Sequence, residues 1–273
     1  MSRTLRDDLG HAVDLPDDGV CRVVSLVPSL TEAVAATTPG ALVGATDWCT
    51  HPTDIEVTRV RGTKNPDRAA IADLQPDLVI ANKEENRELD VSRLRAAGTA
   101  VWVTDIETVP QSLASMRRLL VEACGWAAPQ WLTEAEEAWS GEVPTSGARV
   151  IVPIWRDPWM VVGHPTFTAD LLARLGLEVV TAGAVGRYPH ADLEQLDAAG
   201  ADLVLLPDEP YVFTEADGPE AFSRTPTRLV NGRLITWYGP SLIEARQILA
   251  AVEASSGDEG SERVRRPVDN SGS

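Results

Sequence analysis

The sequence predicts an α/β protein built of two similar lobes with parallel sheets, joined by one long helix. Three observations lead there: short apolar β-branched runs alternate with helical patterns, the markers of those runs recur in the second half, and a capped amphipathic helix lies between the halves. With 273 residues, 44% of them hydrophobic, the chain is long enough for two cores.

Val23-Val24-Ser25-Leu26-Val27, stopped by Pro28, and Asp77-Leu78-Val79-Ile80-Ala81, preceded by Pro76, read as buried parallel strands. Arg149-Val150-Ile151-Val152 matches Arg22-Val23-Val24 at an offset of 127, and Asp202-Leu203-Val204-Leu205 matches Asp77-Leu78-Val79-Ile80 at 125. Gly98-Thr99-Ala100-Val101-Trp102 and Gly232-Arg233-Leu234-Ile235-Thr236 pair at 134, which makes the latter a predicted strand. Helices belong between the strands, as right-handed crossovers require. Ser29-Leu30-Thr31-Glu32 and Ser241-Leu242-Ile243-Glu244 have capping-box spacing, with Ser29 and Ser241 as N-caps and each glutamate reaching back to its cap amide.

Between the halves Thr108 caps a helix with Pro110 in its first turn, Leu113, Met116, Leu120 and Ala123 fall on one face, and Gly125 ends it. About 16 residues give a rod of roughly 24 Å, stiffer than paired extended linkers and resistant to wide hinge opening. The alternative, a crossover helix in one large sheet, is disfavoured by the similarity of the halves. The expected division is residues 1–106 as the first lobe, 107–126 as the bridge, 127–253 as the second lobe, and 254–273, rich in Ser, Gly and charge, as a disordered tail.

Forty-one acids against 24 bases give a formal charge of −17, which repels phosphate backbones and anionic lipid surfaces; nucleic acid is not an expected partner. Simple solubility explains the same charge. No apolar run approaches the roughly 18 residues of a membrane span, so no membrane insertion is expected. Residues 1–19 carry scattered acids and no apolar stretch of the secretory kind, which predicts a cytoplasmic location, or an extracytoplasmic one if the start is misassigned. The three cysteines, Cys21, Cys49 and Cys124, form no CxxC pair and read as reduced thiols rather than a disulfide or zinc framework.

The stretch Ile154-Trp155-Arg156-Asp157-Pro158-Trp159-Met160 sits where the strand from Arg149 to Ile154 runs out. Ligands bind outside the carboxyl ends of such strands, and two indoles beside a guanidinium make a flat wall with a charged edge. Trp48, Trp155, Trp159 and Trp237 all fall in or beside loops that follow predicted strands, whereas Trp126, Trp131 and Trp139 cluster near the bridge. Each of the first four serves equally as a stacking surface or as lobe-to-lobe packing.

Several segments resemble the class III substrate-binding proteins: Arg22-Val23-Val24-Ser25-Leu26-Val27-Pro28-Ser29-Leu30-Thr31-Glu32, Gly62-Thr63-Lys64-Asn65, Leu74-Gln75-Pro76-Asp77-Leu78-Val79 and Asn82-Lys83-Glu84-Glu85-Asn86. Trp155-Arg156-Asp157-Pro158-Trp159, Arg187-Tyr188-Pro189, Glu209-Pro210-Tyr211 and Trp237-Tyr238-Gly239 are similar to the vitamin B12-binding branch, the helical-backbone metal receptors. The likeness runs from about Leu9 to Val252 in family order. It implies two Rossmann-like lobes joined by a single backbone helix, with a corrinoid, haem or ferric siderophore held between them, and delivery to an ABC permease should the chain be exported. It implies a monomer without catalysis or an intrinsic cofactor, whose partner is a small metal chelate.

Within that frame, corrinoid binders work largely by aromatic packing, which assigns the four strand-end tryptophans to the ligand. Cys49 and His51, two apart, offer soft and borderline donors to a metal centre from one side, too few for a dedicated site; an axial contact from His51 or Tyr188 to a chelated metal is the sharper reading. Lys83, Glu84, Glu85 and Asn86 project polar groups that either read ligand amides or solvate a helix start. Lys64 is equally open, and Glu209 and Tyr211 hold the equivalent place in the second lobe. Arg156 and Arg187 offer two-pronged donor faces to a ligand carboxylate or phosphate, or pair internally with Asp157 or Glu209. No GxSxG elbow, GxxxxGK[ST] loop or HExxH helix is present. The enzymatic alternative, action on a corrinoid or metal cofactor, would rest on Cys49, His51 and the Glu84-Glu85 pair.

Overall fold

A computed structural model describes residues 2–144 and 147–246. The expected tail, 254–273, and the end of the second lobe lie outside those residues. The chain opens with an antiparallel hairpin, β1 (Ser2–Arg6) and β2 (Ala12–Pro16). The first lobe follows with β3 (Val23–Ser25), α1 (Pro28–Thr37), β4 (Leu42–Ala45), β5 (Thr58–Arg59), a small ladder of β6 (Arg61–Gly62) and β7 (Asn65–Pro66), α2 (Arg68–Asp73), β8 (Leu78–Asn82), α3 (Glu88–Ala96) and β9 (Val101–Thr104). Its sheet has the order β5-β4-β3-β8-β9 with every pairing parallel.

Between the lobes run α4 (Val109–Arg117), its continuation Arg118–Ala123 in π geometry, and α5 (Gln130–Ala138). The second lobe comprises β10 (Ala148–Ile151), the hairpin β11 (Pro153–Trp155) and β12 (Met160–Val161), α6 (Phe167–Arg174), β13 (Leu177–Val179), α7 (Leu193–Asp197), β14 (Leu203–Pro207), β15 (Thr227–Val230) and α8 (Arg233–Thr236). Its four strands are parallel in the order β13-β10-β14-β15.

Successive side chains of a strand leave opposite faces of its sheet, and here they enter different cores. Val23, Leu78 and Ile80 point one way, Val24, Val79 and Ala81 the other. In the second lobe Val150, Val152 and Leu205 part likewise from Ile151, Val204 and Leu206. The inner faces of both sheets share one apolar cluster with Leu113, Met116, Leu120 and Ala123 of the bridging helix and with Trp131 and Leu132 of α5. Opening the lobes wide would expose part of that shared core, at roughly 25 cal/mol for each Å² of apolar surface.

Thr108 caps α4 as expected, accepting from the Gln111 amide at 3.2 Å. From across the chain Asp170 of α6 accepts from the Val109 amide at 2.8 Å, a carboxylate at a helix N-terminus. The first two repeat pairs take equivalent places. Asp77 accepts from the Arg22 amide at 2.8 Å and Asp202 from the Arg149 amide at 2.7 Å. Each arginine in turn donates to a carbonyl just before the neighbouring strand, Leu74 or Gly200, at 2.6 Å.

Three expectations are corrected. The third repeat pair fails: Val101–Thr104 is a strand, whereas Arg233–Thr236 is one turn of helix and β15 ends before it. Neither serine is an N-cap. Pro28 takes the first turn of α1, where its missing N–H is no loss, and no side chain caps that helix; Ser29 is buried within it. Ser241 lies inside the helical span 241–246, with its hydroxyl 3.4 Å from the Trp237 carbonyl.

The first hairpin fastens the bridging helix to the first lobe. Asp7, whose side chain has 0% exposure, accepts from the Leu9 amide at 3.0 Å, the His11 amide at 2.8 Å, the Val103 amide at 3.3 Å and Arg95 at 2.6 Å. Asp8 takes Ser115 and Arg118 of the bridge, and Arg118 lies over the Trp102 ring, 5.4 Å from its centre.

Candidate functional site

In both lobes the loops after the carboxyl ends of the strands face one another across a cleft, and polar contacts cross it. The β8 loop supplies Glu84, the β9 loop Glu107, and the loop after β13 supplies Arg187 and Tyr188. Arg187 pairs with both Glu84 and Glu107, and the Tyr188 hydroxyl donates to Glu84 at 3.2 Å. Glu84 is steadied from behind by Lys64, whose amine donates to the Glu84 backbone carbonyl.

A second crossing lies where α1 meets α8. Arg233 is forked onto Glu32, at 2.6 and 3.1 Å to one carboxylate oxygen, and reaches Glu244 at 3.1 Å. Burial pushes the Glu32 carboxyl up to about 7, Arg233 offsets part of the rise, and Glu244 and Glu209 add to it. Desolvation therefore outweighs the ion pair. Beside it the His51 ring meets the Trp237 indole edge-on, with centres 5.5 Å apart. Burial and then Arg233 lower the pKa of His51, which keeps the imidazole neutral near pH 7 with a lone pair to offer.

Glu85 and Glu209 face this region from opposite lobes. Glu85 is exposed, and its carboxyl is raised by desolvation, lowered by Lys64 and raised again by Glu84. Glu209 is raised by burial, accepts from the Thr236 hydroxyl at 3.1 Å, and is raised further by Asp208 and Glu85. Tyr238 is buried nearby, its phenol pushed up by burial and by Glu85. Next to the cleft a groove of about 380 Å³, lined by residues including Asp8, Lys83, Asp105, Glu107 and Arg118, runs along the bridge; Lys83 is spent there on Asp105 at 2.8 Å.

The remaining expected residues form a second group within the C-terminal lobe. Trp155 is 46% exposed and edge-on to Tyr211, with ring centres 5.6 Å apart. Tyr211 donates to Asp217 at 2.7 Å. On the N-terminal lobe Trp48 is 67% exposed after β4, so each lobe presents one open indole.

Four residues do not stand where the sequence reading put them. Cys49 has no exposed surface; its sulfur is 3.0 Å from the Thr31 hydroxyl and 3.1 Å from that of Thr46, and burial raises its thiol pKa. Asn86 is buried and spends its side chain on the backbone of Asn82, Thr63 and Leu26 at 2.9, 3.0 and 3.3 Å. Trp159 lies in the lobe's outer core, stacked on Phe213 and edge-on to Phe222. Arg156 packs over Trp159 and is neutralised by Asp217 and Glu220, with Asp157 farther off at 3.7 Å. Its expected ligand-facing fork is therefore internal.

Sequence reasoning missed Glu107, Arg233 and the cross-lobe role of Glu32. Glu107 lies three residues past β9, where the strand-end rule that singled out Glu84 would have reached it; Arg233 was hidden because its segment was read as a strand and is a turn of helix after β15. Among the described residues no group of three His, Cys, Asp or Glu side chains could hold a metal ion, and no helix is long and apolar enough to cross a membrane.

No family model matches the chain. The vitamin B12-binding protein of Salmonella typhimurium is 25% identical over 193 residues, covering 68% of this chain and 71% of that protein. The periplasmic vitamin B12 binding protein BtuF of Vibrio cholerae superposes with a TM-score of 0.70 at 17% identity, over 88% of this chain and 98% of that one. The periplasmic heme-binding protein RhuT from Roseiflexus sp. RS-1, in apo form, gives 0.71 at 20% identity, over 87% and 100%. At such identities the structural likeness carries the fold: two α/β lobes with parallel sheets. The cytoplasmic location expected from the first residues is corrected by these comparisons, because the matched structures are of periplasmic proteins.

Proposed function

We propose that the chain is a member of the class III periplasmic-binding-protein family, a non-catalytic receptor holding one metal chelate, a corrinoid, between its lobes; its likeness to vitamin B12-binding and heme-binding proteins supports the reading. The observation that carries the reading is the meeting of strand-end loops from both lobes at Glu84, Glu107, Arg187, Tyr188, His51 and Trp237, on a fold shared with proteins named for vitamin B12 and heme. Trp48 and Trp155 are the stacking surfaces, one on each lobe, and His51 would offer its imidazole to a chelated metal. Glu85, Glu209 and Tyr211 read the ligand's periphery.

The receptor works outside the cytoplasm as a monomer and hands its cargo to an ABC permease. The lobes divide near residues 106 and 127, and their shared core limits closure to small rocking about α4. An absorbance and tryptophan-quenching titration with cyanocobalamin, cobinamide and haemin tests the reading. Saturable one-to-one quenching by a corrinoid supports it, and failure of all three to bind at micromolar concentration sinks it.

A further inference from the structure

The cleft's charge allows a finer statement, which rests on the chelate-binding reading above. Each guanidinium in it is already shared by two carboxylates, Arg187 by Glu84 and Glu107 and Arg233 by Glu32 and Glu244. A guanidinium so placed has no free fork for an incoming carboxylate, and its surroundings carry net negative charge. Arg156, the other expected anion partner, is taken by Asp217 and Glu220. Lys83 is taken by Asp105, and Lys64 donates to a carbonyl on the Glu84 loop.

Two carboxylates are left over. Glu85 of the first lobe makes no ion pair among the described residues, and Glu209 of the second accepts from the Thr236 hydroxyl rather than from a cation. Glu209 is half-buried and Glu85 exposed, and the two carboxylates couple across the cleft, each like charge adding to the other's repulsion. A ligand fringed with carboxylates would add to that repulsion, and one fringed with amide N–H groups or carrying positive charge would relieve it.

We infer that this cleft selects its chelate by charge, admitting a cationic or uncharged, amide-fringed ring and rejecting one that bears carboxylates, with Glu84, Glu85, Glu107 and Glu209 as the specificity-determining residues. Glu85 and Glu209 accept from the ligand's periphery. Glu84 and Glu107 act indirectly, by keeping Arg187 occupied.

The test is a set of quenching titrations at low salt with aquacyanocobinamide, a cation, cyanocobalamin, which has no net charge, and haemin, which carries two propionates. Both corrinoids are expected to bind at least about tenfold more tightly than haemin, a gap of about 1.4 kcal/mol. Raising NaCl to about 0.5 M, which shortens screening to a few Å, should weaken cobinamide several-fold more than cyanocobalamin. In the Glu84→Gln, Glu107→Gln double variant Arg187 is released, and haemin should gain several-fold. Haemin binding as tightly as the corrinoids, or equal salt responses of the two corrinoids, overturns charge selection and leaves the chelate-binding reading standing. Binding of none of the three overturns that reading and this inference together. Should the double variant fail to fold, the salt series on the unaltered protein decides.

Discussion

Replacing Glu32 by glutamine should make the protein relatively more stable as pH rises. Glu32 is buried, with its side chain 9% exposed, and its carboxyl is raised from the ordinary 4.5 to about 7, chiefly by burial. A carboxyl whose folded pKa lies above its unfolded one contributes stability that is fully present below pH 4.5 and is lost as pH rises through 7. At 1.36 kcal/mol per unit the full loss is about 3 kcal/mol, of which roughly 2.5 falls between about pH 5 and pH 8.5. Glutamine keeps an oxygen for Arg233 and removes the titration. Urea denaturation of both proteins across this range should show the variant gaining on the wild type by about 2 to 3 kcal/mol, without a change in m. Parallel stability curves would refute the reasoning, and so would a gap that widens toward low pH, which would mean that the ion pair outweighs burial.

Further outcomes follow from the packing. Asp7→Ala strands three backbone amides and Arg95 and should cost roughly 3 kcal/mol, read as a fall in the urea midpoint; a loss under about 0.5 kcal/mol would mean that Asp7 does not hold the hairpin to the first lobe. Trp159→Ala, in the outer core, should cost roughly 3 to 5 kcal/mol, whereas Trp155→Ala, 46% exposed, should stay within about 1 kcal/mol and reduce ligand quenching. Equal stability losses would contradict that division. In the native protein a thiol reagent should label Cys21, which is exposed, and spare Cys49 and Cys124, whose thiols are buried and raised, that of Cys124 to about 12. Rapid labelling of all three without denaturant would contradict it.

Where the chain's local chemistry decides the structure, the sequence was readable. The apolar runs at Val23 and Leu78 and their repeats at Val150 and Leu203 became parallel strands, because such runs are stable only when covered on both faces. Thr108 and Pro110 announced the helix that begins at Val109. Long-range pairing was hidden. Glu32 has capping-box spacing from Ser29, yet its partner lies 201 residues away. The overlooked clue was Pro28, which as first-turn residue displaces Ser29 from the cap, and Pro240 stands before Ser241 in the same way. Arg156 was read beside Asp157, whereas Asp217 and Glu220, 61 and 64 residues on, hold it. Trp155 and Trp159 flank a short hairpin turn, and strands of two or three residues give too little alternation to say which indole faces the core. The first hairpin was legible in principle from its Asp7-Asp8-Leu9-Gly10 turn, with Gly10 at φ +80°.

The central claim is that ligand sits between the lobes, and amide hydrogen exchange with and without saturating cyanocobalamin tests it most directly. Ligand in the cleft predicts slowed exchange in loops of both lobes together, at residues 46–52, 83–87 and 105–107 in the first and 182–190 and 208–213 in the second. Protection confined to one lobe, or absent while the ligand is demonstrably bound, would contradict it.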